Sequence, residues 1–260
     1  MNKIYMLADL HGDWRHISAL NTRLKEKLDE TDTIILLGDT GINFFFDKRD
    51  EARKERLSSY KCKYFLIRGN HEERPSILYN RNPNWSVTTY FGGNVYYEIN
   101  YPNILYAHDD VRTYNINGYS TLVIPGAYSV DKYYRLQNGW EWFRHEQLTK
   151  EEMARGQAII EKNNFKFDIV LSHTCPIMYE PTDLFLNQVD QSTVDKTMER
   201  YLGEIEYKID YKLWCWGHYH KYRQYPMYQG RQPVMLYNDS ALDLNETMKS
   251  LDEFHCVVMK

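Results

Sequence analysis

Five times along this chain a short apolar run stops at a polar motif built from Asp, His, Asn and Gly, and that recurrence restricts the fold more than any other feature. Residues 3–8 run into Asp9-Leu10-His11-Gly12, residues 33–37 into Gly38-Asp39, and residues 64–67 into Gly69-Asn70-His71-Glu72. Further on, residues 168–171 run into Ser172-His173 and residues 213–216 into Gly217-His218-Tyr219-His220. The runs have the length and composition of buried strands. In α/β folds, sites gather beyond the carboxyl ends of strands, so core packing does not explain metal-capable side chains at all of these ends.

The segments between the runs set the fold class. Ile17, Leu20, Leu24 and Leu28 recur on one helical face, and residues 50–61 form a charged helical stretch. The resulting β-α-β-α-β order predicts parallel strands in an α/β layer. Residues 75–103 are rich in Asn, Tyr and Gly and show no long helical period, while 104–107 and 120–124 read as strands. Residues 126–148, aromatic and charged, read as an elaborated surface loop whose Tyr128, Lys132, Tyr133, Tyr134, Arg135, Trp140 and Trp142 either line a pocket or pack onto the fold, as do Trp85, Tyr90 and Phe91. Thr149 and Glu152 form a capping box that opens a helix to about residue 161. Residues 192–208 predict another helix, and 234–237 and 255–259 two closing strands. The later strands lack regular intervening helices, which predicts a second sheet, largely antiparallel or mixed, packed on the first with helices outside.

The chain has 260 residues, 43% hydrophobic, and no Pro/Gly/Ser-rich linker, charge block or repeat divides it. A single domain over 1–260 is expected, elaborated around 75–103 and 126–148. A net charge of -4 argues against a large basic surface for nucleic acid. No apolar stretch approaches the ~18 residues of a membrane span. The start, MNKIYMLADLHGD, carries a single Lys and reaches Asp9 at once, unlike a secretory signal. Cys62, Cys175, Cys215 and Cys256 form no CxxC pair and read as buried thiols, consistent with a reducing cytoplasmic setting.

The donor chemistry of the motifs is coherent. Carboxylate oxygens, imidazole nitrogens and one amide oxygen suit divalent Mn, Fe or Zn. Asp9/His11 and His218/His220 are i,i+2 pairs, whose members point to the same side of an extended segment. The adjacent glycines permit unusual backbone angles close to an ion.

In order, the series DLHG, GD, GNHE, SH and GHYH resembles the calcineurin-like metallophosphoesterase superfamily over residues 9–220. That resemblance implies a four-layer α/β/β/α sandwich with two mixed sheets and a dinuclear centre holding two divalent metal ions. It implies that Asp9, His11 and His220 hold one ion, Asn70, His173 and His218 the other, and that Asp39 bridges them. His71 would lie beside the ions and donate a proton to the leaving oxygen, a role suited to an imidazole. The stretch IRGNHEER is similar to that of protein Ser/Thr phosphatases, which favours a phosphomonoesterase and makes Arg74 and Arg68, with Asn70, candidates for substrate binding. Glu72 reads as a structural hydrogen-bond acceptor. One position departs from the family's GDxxD: Ile42 stands where the second Asp would support His71, so Asn43 or another residue must orient that imidazole. A phosphodiesterase or nuclease is the alternative within hydrolases. A non-catalytic protein-binding scaffold is the alternative outside them, although every ligand position is kept.

Overall fold

The computed structural model describes the backbone of residues 2–258 and the side chains of residues 2–254. Three buried strands open the chain: β1 (Ile4–Leu7), β2 (Thr33–Leu37) and β3 (Lys63–Ile67). They are joined by helices α1 (Arg15–Arg23) and α2 (Lys48–Ser58). Then follow α3 (Pro75–Arg81), β4 (Trp85–Tyr90), β5 (Gly93–Glu98), β6 (Ile104–Tyr106), β7 (Arg112–Ile116), β8 (Tyr119–Ile124), α4 (Lys132–Gln137) and α5 (Lys150–Lys162). The last part is β9 (Ile169–Ser172), α6 (Thr197–Lys208), β10 (Leu213–Trp216), β11 (Arg223–Gln224), β12 (Gln232–Met235), β13 (Leu242–Asp243) and α7 (Leu244–Val258).

The strands form two mixed sheets. The first has the order β13-β1-β2-β3-β6-β5-β4 and the second β11-β12-β10-β9-β8-β7. In each, four central strands are parallel and antiparallel strands lie at the edges. Near-continuous apolar runs are what parallel strands covered on both faces require. Alternation along each strand divides the core. Met6, Ile35 and Phe65 face Val123, Leu171 and Cys215 between the sheets. Leu7, Leu36 and Leu66 pack outward with Ile17 and Leu57, while Val170 and Trp214 pack outward with Ile160 and Leu202. Helices therefore cover both outer faces, and the four-layer α/β/β/α sandwich is the observed architecture.

Several elements differ from the sequence expectation. Residues 75–103 do contain a helix, α3, whose Pro75 occupies the first turn, followed by the β4–β5 hairpin that extends the first sheet. The hairpin turn is Phe91-Gly92, both at positive φ, the backbone conformation that a two-residue hairpin loop requires. Residues 126–148 are not merely a surface loop, since they include α4 and several buried side chains. The helix expected from residue 192 starts at Thr197, because Asp195 accepts from the Thr197 N–H at 2.9 Å and fixes the first turn there. Residues 255–258, expected as strand, end helix α7; Leu244, Met248 and Leu251 lie at helical spacing and join the inter-sheet core. Met259 lies outside the described residues. The free thiols of Cys62, Cys175 and Cys215 are buried.

Candidate metal centre

The carboxyl ends of the strands lie in register, and backbone pairing continues past them. Leu7 is opposite Leu36, and beyond the strands the N–H groups of Asp9, His11 and Gly12 donate to the carbonyls of Gly38, Asp39 and Thr40 at 3.1, 2.8 and 2.8 Å. The second sheet reaches the same edge, where Gly217 N–H donates to His173 O at 2.9 Å. Asp9, His11, Asp39, His218 and His220 all sit at positive φ, from 47° to 74°. This conformation costs a non-glycine residue roughly 1–3 kcal/mol and persists where the surroundings enforce it. Gly38, at φ 88°, lies against the His173 ring, where a Cβ would collide with it.

Asp9, His11, Asp39 and His220 each offer a ligand atom within 4.8 Å of the others, a set able to hold a metal ion. The His11 and His220 Nε2 atoms face each other at 3.0 Å. On the other side, His173 Nε2 lies 2.9 Å from Asn70 Oδ1 and 3.5 Å from Asp39 Oδ1, and its ring meets that of His218 at 5.1 Å between centroids. Asp39 stands between the groups, with Oδ1 toward His173 and Oδ2 3.9 Å from His11. All seven residues singled out by the motifs thus gather at one edge of the sandwich.

The protonation states fit cations. Burial pushes His218 well below the usual imidazole range, His220 down to about 4, and His11 also downward. These rings are therefore neutral near pH 7, the form that ligates metal. Two neutral rings facing nitrogen to nitrogen need a shared proton or a cation between them. Burial lowers His173 too, but the charge of Asp39 overrides it and raises that imidazole to about 9. His173 Nδ1 is 2.7 Å from Leu37 O, which turns Nε2 toward Asn70 and Asp39. A proton held that strongly marks a position where positive charge is favoured. Burial raises Asp9 well above the ordinary carboxylate range, whereas at Asp39 the imidazoles of His71 and His173 outweigh burial and lower it.

His71 borders the set without joining it. Its backbone N–H donates to Asp39 Oδ1 at 2.9 Å, and its ring stacks on Phe44. Phe44 is held because the N–H groups of Phe44, Phe45 and Phe46 all donate to Asp50 Oδ2 at 2.8–2.9 Å. The group against the His71 ring is Arg135, whose Nη2 lies 2.8 Å from Nε2 and also contacts Nδ1. Arg135 is only 3% exposed; its Nε donates to Asp131 Oδ2 at 2.8 Å and its Nη1 to Glu141 O at 3.2 Å.

The same segment fixes Asn70. Asn70 Nδ2 donates to Ser129 Oγ at 2.9 Å, and Ser129 Oγ donates to Glu146 Oε2 at 2.6 Å. Glu146 also accepts from the Ser129 N–H and from Trp142 Nε1, each at 3.0 Å. With its NH₂ so engaged, Asn70 turns its oxygen to His173. Ser129, Asp131 and Glu146 were not found from sequence, and Arg135 was singled out only within its aromatic segment, not as the partner of His71. The available signal was a sixth strand end: β8 stops at Ile124, and the segment after it enters the site.

Other candidates have structural work. Arg74, 7% exposed, pairs with Glu152 at 2.5 and 3.1 Å and donates to His145 O and Gln147 O, both at 2.8 Å. Arg68 is buried and donates to the carbonyls of Glu146 and Gly69 at 2.7 and 3.1 Å. The Arg74 guanidinium is held by intramolecular partners, whereas Arg68 engages carbonyls through Nη1 alone and keeps Nε and Nη2 buried without a hydrogen-bond partner among the described residues. Glu72 accepts from the Thr40 N–H and, at 3.1 Å, from the Gly69 N–H, tying the ends of β2 and β3 as a structural acceptor. Asn43 is buried and its backbone carbonyl accepts from the Glu73 N–H at 3.1 Å, while the side chain found against the His71 ring is Arg135. His108 accepts from the Asp110 N–H at 3.1 Å and serves its own loop. Trp85, Tyr90 and Phe91 pack in the sheets rather than at the site.

A family model described as calcineurin-like phosphoesterase matches residues 2–222. No curated protein matches the chain. Among solved structures, TT1561 of Thermus thermophilus is similar with a TM-score of 0.52 at 16% identity, over 95% of this chain and 96% of that one. Phosphopantetheinyl hydrolase from Mycobacterium tuberculosis gives 0.47 at 15% identity over 91% and 90% of the two chains. A dimetal phosphatase from Danio rerio gives 0.46 at 9% identity over 91% and 87%. At such identity the first likeness speaks to the fold.

Proposed function

The chain belongs to the calcineurin-like phosphoesterase family, a family of phosphate-ester hydrolases, and on that premise we propose that it hydrolyses its ester at a dinuclear centre with His71 as proton donor. The observation that carries this reading is the convergence of carboxylate, imidazole and amide ligand atoms from seven strand-end residues on the two sides of Asp39. Asp9, His11 and His220 would hold one divalent ion, Asn70, His173 and His218 the other, and Asp39 both. Ions of the Mn, Fe or Zn class at such a site supply charge that neutralises phosphate oxygens and acidifies water.

The protein's own residues do the rest. His71, between Phe44 and Arg135, is confined to one side of the centre and offers its proton there to the leaving oxygen. Arg135 takes the part first sought in Arg68 and Arg74. Its guanidinium is fixed by Asp131 and Glu141 and presents positive charge beside His71, where a phosphate oxygen can accept from it. The same arginine confines the imidazole, but as a donor it does not supply the acceptor that the Asp missing at Ile42 would give, and its charge lowers the affinity of His71 for a proton. Asn70 is oriented by Ser129 and Glu146, so its oxygen is fixed before an ion arrives.

We read residues 1–260 as one domain acting on a phosphate-ester substrate. Among the described residues no helix is long and apolar enough to cross a membrane. The phosphomonoester preference draws on the likeness of IRGNHEER to the matching stretch of protein Ser/Thr phosphatases, and the pairing of Arg74 with Glu152 weakens one part of that argument. The test is direct: protein reconstituted with Mn should hydrolyse aryl phosphate esters, and inactivity on monoesters, diesters and cyclic nucleotides alike would refute the proposed activity.

A further inference from the structure

Two cavities flank the centre, and they share no lining residue. The larger, of about 590 Å³, is bordered by His71, Arg135, Phe44 and Trp140. The smaller, of about 260 Å³, is bordered by His218 and His220 and faced by Leu184, Phe185 and Val189. The segment 128–131 divides them: Tyr128 and Val130 line the smaller cavity, and Asp131 lines the larger.

The smaller cavity has a defined chemistry. Most of its wall is aliphatic or aromatic. Lys196 is the one Lys or Arg among its described lining residues, and it is engaged by Glu180 at 2.7 and 2.9 Å and lies 4.5 Å from the centre of the Phe185 ring. Asp195 and Glu199 also line it. A second phosphate or a carboxylate would meet acidic groups there and no free cation, whereas an apolar uncharged group would meet a matching wall.

A phosphate is tetrahedral. When its leaving oxygen faces His71 and the larger cavity, its other oxygens point elsewhere, and the space beyond His218 and His220 is open to one of them. We propose that the smaller cavity is a second organic subsite, and that the substrate is a phosphate diester whose retained group is apolar and uncharged. This inference rests on the proposed hydrolysis at the centre with His71 on the leaving-group side. Water adds its oxygen to phosphorus as the bond to the leaving oxygen breaks, and the leaving oxygen takes the His71 proton. A proton from the water restores His71, and the products are an alcohol and the monoester of the retained group.

The experiment uses the Mn-loaded full chain and three esters with one leaving group: p-nitrophenyl phosphate and its methyl and phenyl diesters. The phenyl diester should show a KM roughly tenfold below that of the methyl diester, the scale of discrimination an apolar pocket provides. Val189→Trp, which fills the cavity from a partly exposed position, should abolish that difference between the two diesters. Calorimetric binding of diphenyl and dimethyl phosphate to the His71→Ala protein should show the same preference without turnover. Equal KM values for the two diesters, or a Val189→Trp effect equal on all three esters, would overturn the subsite while leaving the hydrolytic reading intact. No turnover of any ester would overturn both.

Discussion

Replacing Arg74 by Ala tests whether this guanidinium is structural or handles substrate. In the folded protein it makes a bidentate pair with Glu152, at 2.5 and 3.1 Å, and two further bonds to carbonyls, each of 2.8 Å. Its removal leaves a buried carboxylate and two carbonyls without their partner. Breaking one side of a buried pair costs about 3–5 kcal/mol. For a chain of this size each kcal/mol moves the melting temperature by about 2–4 °C, so a fall on the order of 10 °C is expected. Urea unfolding should give the same loss, with KM for an aryl phosphate unchanged at a temperature where both proteins are folded. The variant Arg74→Met/Glu152→Gln should recover part of the loss, because the unpaired charge is gone. The pH dependence gives a second check. Burial raises the Glu152 carboxyl, but Arg74 and the Thr149 N–H outweigh it and hold it down to about 2. A carboxyl depressed on folding contributes stability above its unfolded pKa, about 4.3, and loses it as pH falls toward the folded value. That acid-side loss between about pH 5 and 2 should shrink in Arg74→Ala. A variant with unaltered stability and a strongly raised KM would refute this reasoning and return Arg74 to substrate binding.

Three other outcomes follow from the site. His71→Ala should lower kcat by about 10²–10⁴-fold with both ions retained, checked by kinetics alongside elemental analysis. Arg135→Ala should reduce kcat/KM by roughly 10–100-fold, the scale of a lost charge-assisted hydrogen bond, and weaken inhibition by inorganic phosphate, while metal content stays the same. Asn70→Ala should lower metal content from about two ions per chain toward about one, because the Asp9, His11, Asp39 and His220 set remains whole; two tightly held ions in that variant would exclude Asn70 as a ligand.

Much of the fold was legible because its central strands are buried on both faces. Strands β1, β2, β3, β9 and β10 carry their own apolar signal, and the polar motifs after them mark where burial ends. The parallel order of the first three strands follows from the helical segments between them. The hairpin β4–β5 was hidden, since its strands mix exposed and buried positions without a clean alternation. The end of α7 was misread because the apolar run at 256–259 suits a strand when taken alone; the 3.6-residue spacing that identifies the helix begins earlier, at Leu244.

By itself, the sequence determined the candidate ligand set. Asp9, His11, Asp39, Asn70, His173, His218 and His220 each follow a strand, and strand ends in register bring them to one edge. It did not determine which groups surround that set. Arg68 and Arg74 stand next to GNHE in the chain, yet their side chains pair with carbonyls and Glu152; Arg135 is 64 residues from His71 and touches its ring. Neighbourhood along the chain governs backbone placement at a strand end. Which side chain reaches the imidazole, which hydroxyl orients Asn70, and which cavities open on either side depend on how the segment after β8 packs across the sandwich, and only the tertiary structure decides that.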